Sequence, residues 1–155
     1  MKIRFAEERD LPAVNRLRRQ LHALHAAGRP ETFKPGFPPE LEQHVYTVFQ
    51  DPAQKILVAE ADGALLGFAL LHEIRRPETP YMYERHFLDV DEFGVDEACR
   101  RQGVGRALLE AAKAYAKERG FERLELNMWE FNESALAFYE AAGFTTYRRY
   151  MEIKL

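Results

Sequence analysis

The sequence predicts a mixed α/β fold in which helices flank a sheet, and three observations carry that prediction. Segments whose apolar residues favour strands, near 55–74, 87–95 and 124–128, are interleaved with segments of helical period near 11–24, 104–115 and 133–142. Asp62-Gly63 lies between two apolar runs, the strongest short-range hairpin signal. The 155 residues, 46% hydrophobic and 30% charged, suit one globular unit with its own core, a single domain over 1–155.

Taken in order, a short opening strand precedes Leu11, Val14, Leu17, Leu21 and Leu24. Their spacing marks one face of a helix that Asp10 is placed to cap and Gly28 to end. Pro30, Pro35, Pro38 and Pro39 then exclude regular structure and predict a long loop, followed by a helix from about Glu40 to Gln50. Lys55 to Ala61 and Leu65 to Ile74 read as the two arms of the Asp62-Gly63 hairpin. From Phe87 to Val95 the alternation breaks step. Leu88 and Val90 share one parity and Phe93 and Val95 the other, so a β-bulge is expected near Asp91-Glu92. Val104, Leu108, Ala111, Ala112 and Tyr115 mark a helix ending near Gly120, and Leu124, Leu126 and Met128 alternate as a strand. A final helix runs from about Glu133 to Ala142 and stops at Gly143, after which Thr145 to Ile153 reads as a last strand or hairpin arm.

Composition excludes several function classes. Lys and Arg number 22 against 25 Asp and Glu, a formal charge of −3, so electrostatics make no case for a nucleic-acid partner and any anion site must be local. The longest apolar runs, such as Ala64 to Leu71, fall far short of the ~18 residues that span a bilayer. Met1 to Phe5 carries neither an apolar signal core nor a small-residue cleavage site, so the chain reads as unprocessed and cytoplasmic. The single cysteine, Cys99, can form no internal disulfide. Among the histidines only His22 and His25 are closely spaced, with no third ligand nearby, so no metal is expected.

The sharpest chemical signal is Arg100-Arg101-Gln102-Gly103-Val104-Gly105-Arg106, between a strand and a helix. A glycine-containing turn at a helix start leaves backbone N–H groups unpaired at the positive end of the helix dipole, which suits a phosphate or pyrophosphate. Gly103 and Gly105 allow close approach, and the arginines add charge. The spacing fits neither Gly-x-x-x-x-Gly-Lys-Ser/Thr nor the Rossmann Gly-x-Gly-x-x-Gly, so nucleotide hydrolysis and dinucleotide binding lose ground. The competing reading is a tight turn and nothing more.

Here the sequence resembles the GCN5-related N-acetyltransferase (GNAT) family. That family's Gln/Arg-x-x-Gly-x-Gly/Ala signature is matched by Arg100 to Gly105, and its Asn, Tyr and Gly-Phe signature by Asn132, Tyr139, Gly143 and Phe144. The resemblance implies the GNAT acyl-CoA N-acyltransferase fold, a central, mixed and mostly antiparallel sheet flanked by helices. It implies acetyl-CoA as donor and a primary amine as acceptor. The acceptor expected is a small molecule such as a polyamine, amino acid or aminoglycoside-like compound. Peptide N-acetylation and a noncatalytic acyl-CoA-binding module are the alternatives.

On the same resemblance, the amides from Arg100 through Gln102, Gly103, Val104 and Gly105, with Arg106, would hold the CoA pyrophosphate. Phe93, Gly94 and Val95 would pair with the pantetheine arm, and Asn132 would hydrogen-bond near the cofactor. Tyr139 stands where the family places the acid for the CoA thiolate; the competing reading is a core aromatic beside Phe138 and Leu136, but helix patterning assigns the core face to Ala135, Phe138 and Ala142. For the base, Glu92 ranks first, Asp91 second and Asp89 third. Asn127 stands where protein-terminus acetyltransferases carry a glutamate, and an amide cannot serve as base. Trp129 and Phe131 either wall the acceptor pocket or pack under the final helix. Pairing through the last strands, as a homodimer, is the assembly the resemblance implies.

Overall fold

The computed structural model describes residues 1–155. One five-stranded sheet runs in the order β1 (Lys2–Phe5), β2 (Gln54–Ala61), β3 (Ala64–Arg76), β4 (Arg85–Val95), β5 (Leu124–Leu126). The first four strands are antiparallel to their neighbours, and β5 joins β4 in parallel. A parallel pair needs a crossover; here α3 (Val104–Glu118) supplies it. No helix is long and apolar enough to cross a membrane.

The two sheet faces bury separate cores. On one, Leu11, Val14 and Leu17 of α1 (Leu11–Gly28) and Val45 and Val48 of α2 (Pro39–Gln50) pack on Ile56, Val58, Phe68 and Leu70. On the other, Val104, Leu108, Ala112 and Ala116 of α3 cover Leu57, Ala69, Leu71, Leu88 and Val90. Strand residues of opposite parity thus feed opposite cores, as the pleat requires.

Asp62 and Gly63 both have positive φ, 51° and 75°, the conformation a two-residue hairpin turn needs. The bulge is present as well. Val90 faces Leu71 and Glu92 faces Leu70, which leaves Asp91 without a partner. This extra residue puts Leu88, Val90, Phe93 and Val95 together on the α3 side, the pattern that broke step in the sequence.

Two expectations need correction. Asp10 does not cap α1 with its side chain; the carboxylate instead takes two bonds from Arg4, at 2.6 and 3.0 Å, and one from the Glu7 amide. Gly28 is the last residue of α1, as the sequence predicts, and a Cβ there would lie 2.2 Å from the Phe131 ring. Thr145 to Ile153 forms no strand. The reason lies in β5, which keeps only three residues before the chain turns and Trp129 meets Phe33 edge-on. So short an edge offers too little ladder to order another strand. The tail is held by side chains alone, Tyr147 to Glu125 and Glu152 to Arg29, with Tyr150, Met151 and Ile153 exposed.

Leu108 is fully buried at the centre of the α3 core. Leu108→Ala is expected to cost roughly 2–5 kcal/mol, read as a lower urea midpoint with unchanged slope.

Candidate active site

The ladder between β4 and β5 stops at Val90 and Leu126, while β4 continues five residues further. The two strands therefore part immediately before the bulge. The Asp96 amide donates to the Leu66 carbonyl at 2.8 Å, so antiparallel alternation places Gly94, opposite Phe68, in a bonded pair with β3. The same alternation turns the N–H and C=O groups of Phe93 and Val95 outward, into the gap left by β5. Gly94 is required here because a Cβ would lie 2.6 Å from the Phe68 ring.

At the end of that open edge the chain enters the arginine-glycine turn. Two residues of α1 hold its approach: Arg16 pairs with Asp96, and Gln20 accepts from the Glu97 amide at 3.0 Å. Arg101 and Gly103 both have positive φ, 64° and 83°, and α3 starts at the next residue. The amides of residues 101–106 donate to no acceptor in the protein; the first bonded amide is Ala107, to the Gly103 carbonyl. Six N–H groups at a helix start, winding through two left-handed residues, form an anion-binding concavity. Arg101 and Arg106 are in no ion pair, and Arg100 has only a 3.5 Å contact with Glu97.

On the third side, α4 (Glu133–Ala141) leans against both features. Phe93 lies 5.9 Å from the Phe138 ring and 6.1 Å from the Tyr139 ring, and Gly105 faces Phe138. Asn132 caps α4 by accepting from the Ala135 amide and the Ser134 hydroxyl. Its Nδ2 makes no bond within the protein. The Tyr139 ring is packed among Phe93, Phe138 and Phe144, and burial pushes its phenol up to about 12. The hydroxyl has no protein partner.

The sheet face toward α1 and α2 carries the acids. Glu92 is held by a fork: Arg18 Nε donates to Oε2 at 2.7 Å and Nη2 to Oε1 at 2.8 Å. Asp91 sits exposed at the bulge. Asp89 is half-buried, opposite His72 on β3 and beside Glu125 on β5. Desolvation first, then the charges of Asp91 and Glu125, push its carboxyl up to about 6. Glu125 is itself bonded by Arg85 and by the Tyr147 hydroxyl.

Above these acids the proline-rich loop closes over α1 through aromatic contacts. His25 stacks on Phe33 at 5.2 Å and meets Phe131 edge-on, and Phe33 meets Trp129 at 5.2 Å. Trp129 and Phe131 thus pack on the loop and the end of α1, not under α4. His25 is held below the usual histidine value by burial and then by His22, with Glu92 opposing. No three His, Cys, Asp or Glu side chains come together as a metal cluster.

Sequence reasoning missed Arg18. The signal was there: four residues after Val14 on the apolar stripe of α1, a charged residue interrupts the pattern and must find a buried partner.

A mixed sheet that opens at one strand edge beside an amide-lined helix start is the arrangement these elements build. The chain belongs to the acetyltransferase (GNAT) family, whose profile matches residues 18–144. It is 33% identical over 106 residues, 68% of its length, to the mycothiol acetyltransferase of Salinispora tropica, of which it covers 33%. To the aminoglycoside N(6')-acetyltransferase type 1 of Klebsiella aerogenes it is 34% identical over 94 residues, 61% of this chain and 60% of that one. The chain therefore spans between a third and three-fifths of the length of these relatives. Among solved structures, a tetramutant of the BH1408 protein from Bacillus halodurans superposes with a TM-score of 0.95 at 29% identity, over all of both chains.

The positive φ of Gly103 faces open space, so Gly103→Ala strains the backbone without a clash. A left-handed alanine costs about 1–2 kcal/mol; the expected result is roughly tenfold weaker acetyl-CoA binding in isothermal titration.

Proposed function

We propose that the protein is an acetyl-CoA-dependent N-acetyltransferase that acetylates a primary amine on a small cationic molecule. The observation that carries this reading is the continuity of the open Phe93–Val95 edge with the six unbonded amides of 101–106. An extended pantetheine arm fits the first as an added strand, and a pyrophosphate fits the second. Arg100, Arg101 and Arg106 supply countercharge, and the Asn132 Nδ2 is available to the carrier near α4.

The ammonium first loses a proton, the free amine attacks the thioester carbon directly, the C–S bond breaks as the thiolate is protonated, and the second nitrogen proton, lost as the amide forms, restores the proton donor through solvent. The ammonium proton goes to Asp89. Glu92 is less suited because both its oxygens accept from Arg18, and Asp91 is less suited because it lies exposed at the bulge, open to water. Asp89, near 6, is ionised at neutral pH yet takes a proton more readily than a solvated aspartate near 3.9. Tyr139, near 12, keeps its proton throughout that range and donates to the departing thiolate. Asp89 and Asp91, neither of them held in an ion pair, favour a cation, and the aromatic loop packed on α1 suits the body of a small molecule better than a long peptide. Two relatives are named for small molecules, an aminoglycoside and mycothiol, which agrees with this choice.

The test is a panel of spermidine, kanamycin, free amino acids and a peptide with a free amino terminus, scored by released CoA thiol. A response confined to the peptide would reverse the acceptor assignment, and CoA binding without any turnover would identify a regulatory module. Asp89→Asn is expected to lower kcat/KM roughly 10²–10⁴-fold while leaving acetyl-CoA binding intact. Because burial penalises the charged carboxylate, that substitution is also expected to raise the urea midpoint at neutral pH. The group must be ionised to act, so wild-type kcat/KM is expected to rise with pH through a midpoint near 6. Tyr139→Phe is expected to lower kcat more than it changes the KM for acetyl-CoA.

A further inference from the structure

We infer that Arg18 is a positioning residue of the acceptor cleft: its guanidinium holds the Glu92 carboxylate against α1, fixing the bulge backbone beside the open edge and cancelling the Glu92 charge next to Asp89. Arg18 is 2% exposed, among the largest fully buried side chains in the protein. Beyond the fork to Glu92, Nη1 donates to Asn15 Oδ1 at 2.9 Å and to the Leu41 carbonyl of α2 at 2.7 Å. Asn15 donates in turn to the Glu42 carbonyl at 2.9 Å. One side chain thus ties α1 and α2 to the residue that follows the bulge.

A buried ion pair is a poor device for stability alone, since apolar residues of similar volume serve as well or better. This one sits where stability is not the main demand. Its acid is next to the bulge residue, on the same sheet face as Asp89, and Glu92 without Arg18 would point a bare charge into the cleft. A lysine could not replace the two parallel bonds of the fork.

The charges around Asp89 are few: His72 and Arg76 from β3, Asp91 on its own strand, and Glu125 from β5, the last already paired with Arg85. From α1 come Arg18 and His25, both facing Glu92. Glu92 lies roughly 7–10 Å along the strand from Asp89. At that separation one uncompensated charge moves a carboxyl titration by about one pH unit.

The inference rests on the cleft assigned above, and its test does not depend on turnover. Protein labelled with carboxyl-¹³C aspartate is titrated by NMR, with the Asp89 signal assigned by its loss in Asp89→Asn. Arg18→Met is expected to raise the Asp89 midpoint by about one pH unit and Glu92→Gln to lower it by a similar amount. The double variant is expected to return to within roughly 0.3 of wild type. A general loosening of the fold would not give shifts of opposite sign. Midpoints that stay put in both single variants, or that move together, overturn the inference. Should Arg18→Met fail to fold, the fall in Glu92→Gln and its reversal in the double variant decide the matter. Full activity in Asp89→Asn would instead overturn the choice of base and leave the titration result standing.

Discussion

Once the β4–β5 ladder ends at Val90 and Leu126, β4 runs on with one edge unpaired. An exposed strand edge is ordinarily a liability, a template for unwanted pairing. Here the edge is short and interrupted by a bulge, and α4 stands over its far end through Phe138 and Tyr139. The amide-lined start of α3, the phenol and the acids each border this gap. Without the parting of the two strands, none of them would have a common space to act on.

The bulge at Asp91 decides which side of the sheet each neighbour serves. One extra residue sends Phe93 and Val95 to the α3 face with Leu88 and Val90, while Glu92 turns toward Arg18. The cationic and anionic groups of this region are thereby kept apart. Amides and arginines gather where α3 begins, and carboxylates gather on the face toward α1. The formal charge of −3 conceals this separation.

Much of this was legible in the chain. Helical and alternating periods placed the helices and β1 to β4 within a few residues, because burial of one face per element imposes those periods. Asp62-Gly63 announced its turn because few other pairs tolerate two positive φ values. The broken alternation located the bulge, and the glycine-arginine run located the helix start. What failed was whatever depended on a partner far along the chain. Asp10 matched a helix cap and found Arg4 instead, and Thr145 to Ile153 matched a strand and has no edge long enough to join.

The sequence by itself determined the order of elements, the bulge, the glycine-arginine turn before α3 and the family resemblance, since all of these are written in local spacing and residue type. Only the tertiary structure decided how the three candidate acids differ. Glu92, Asp91 and Asp89 are chemically alike and nearly adjacent, so no local pattern separates them. Arg18, seventy-four residues before Glu92, takes one of them; solvent keeps the second; and burial beside Glu125 changes the proton affinity of the third. Protonation and pairing depend on distances through space and on the water excluded between groups, and the chain acquires both only when it packs.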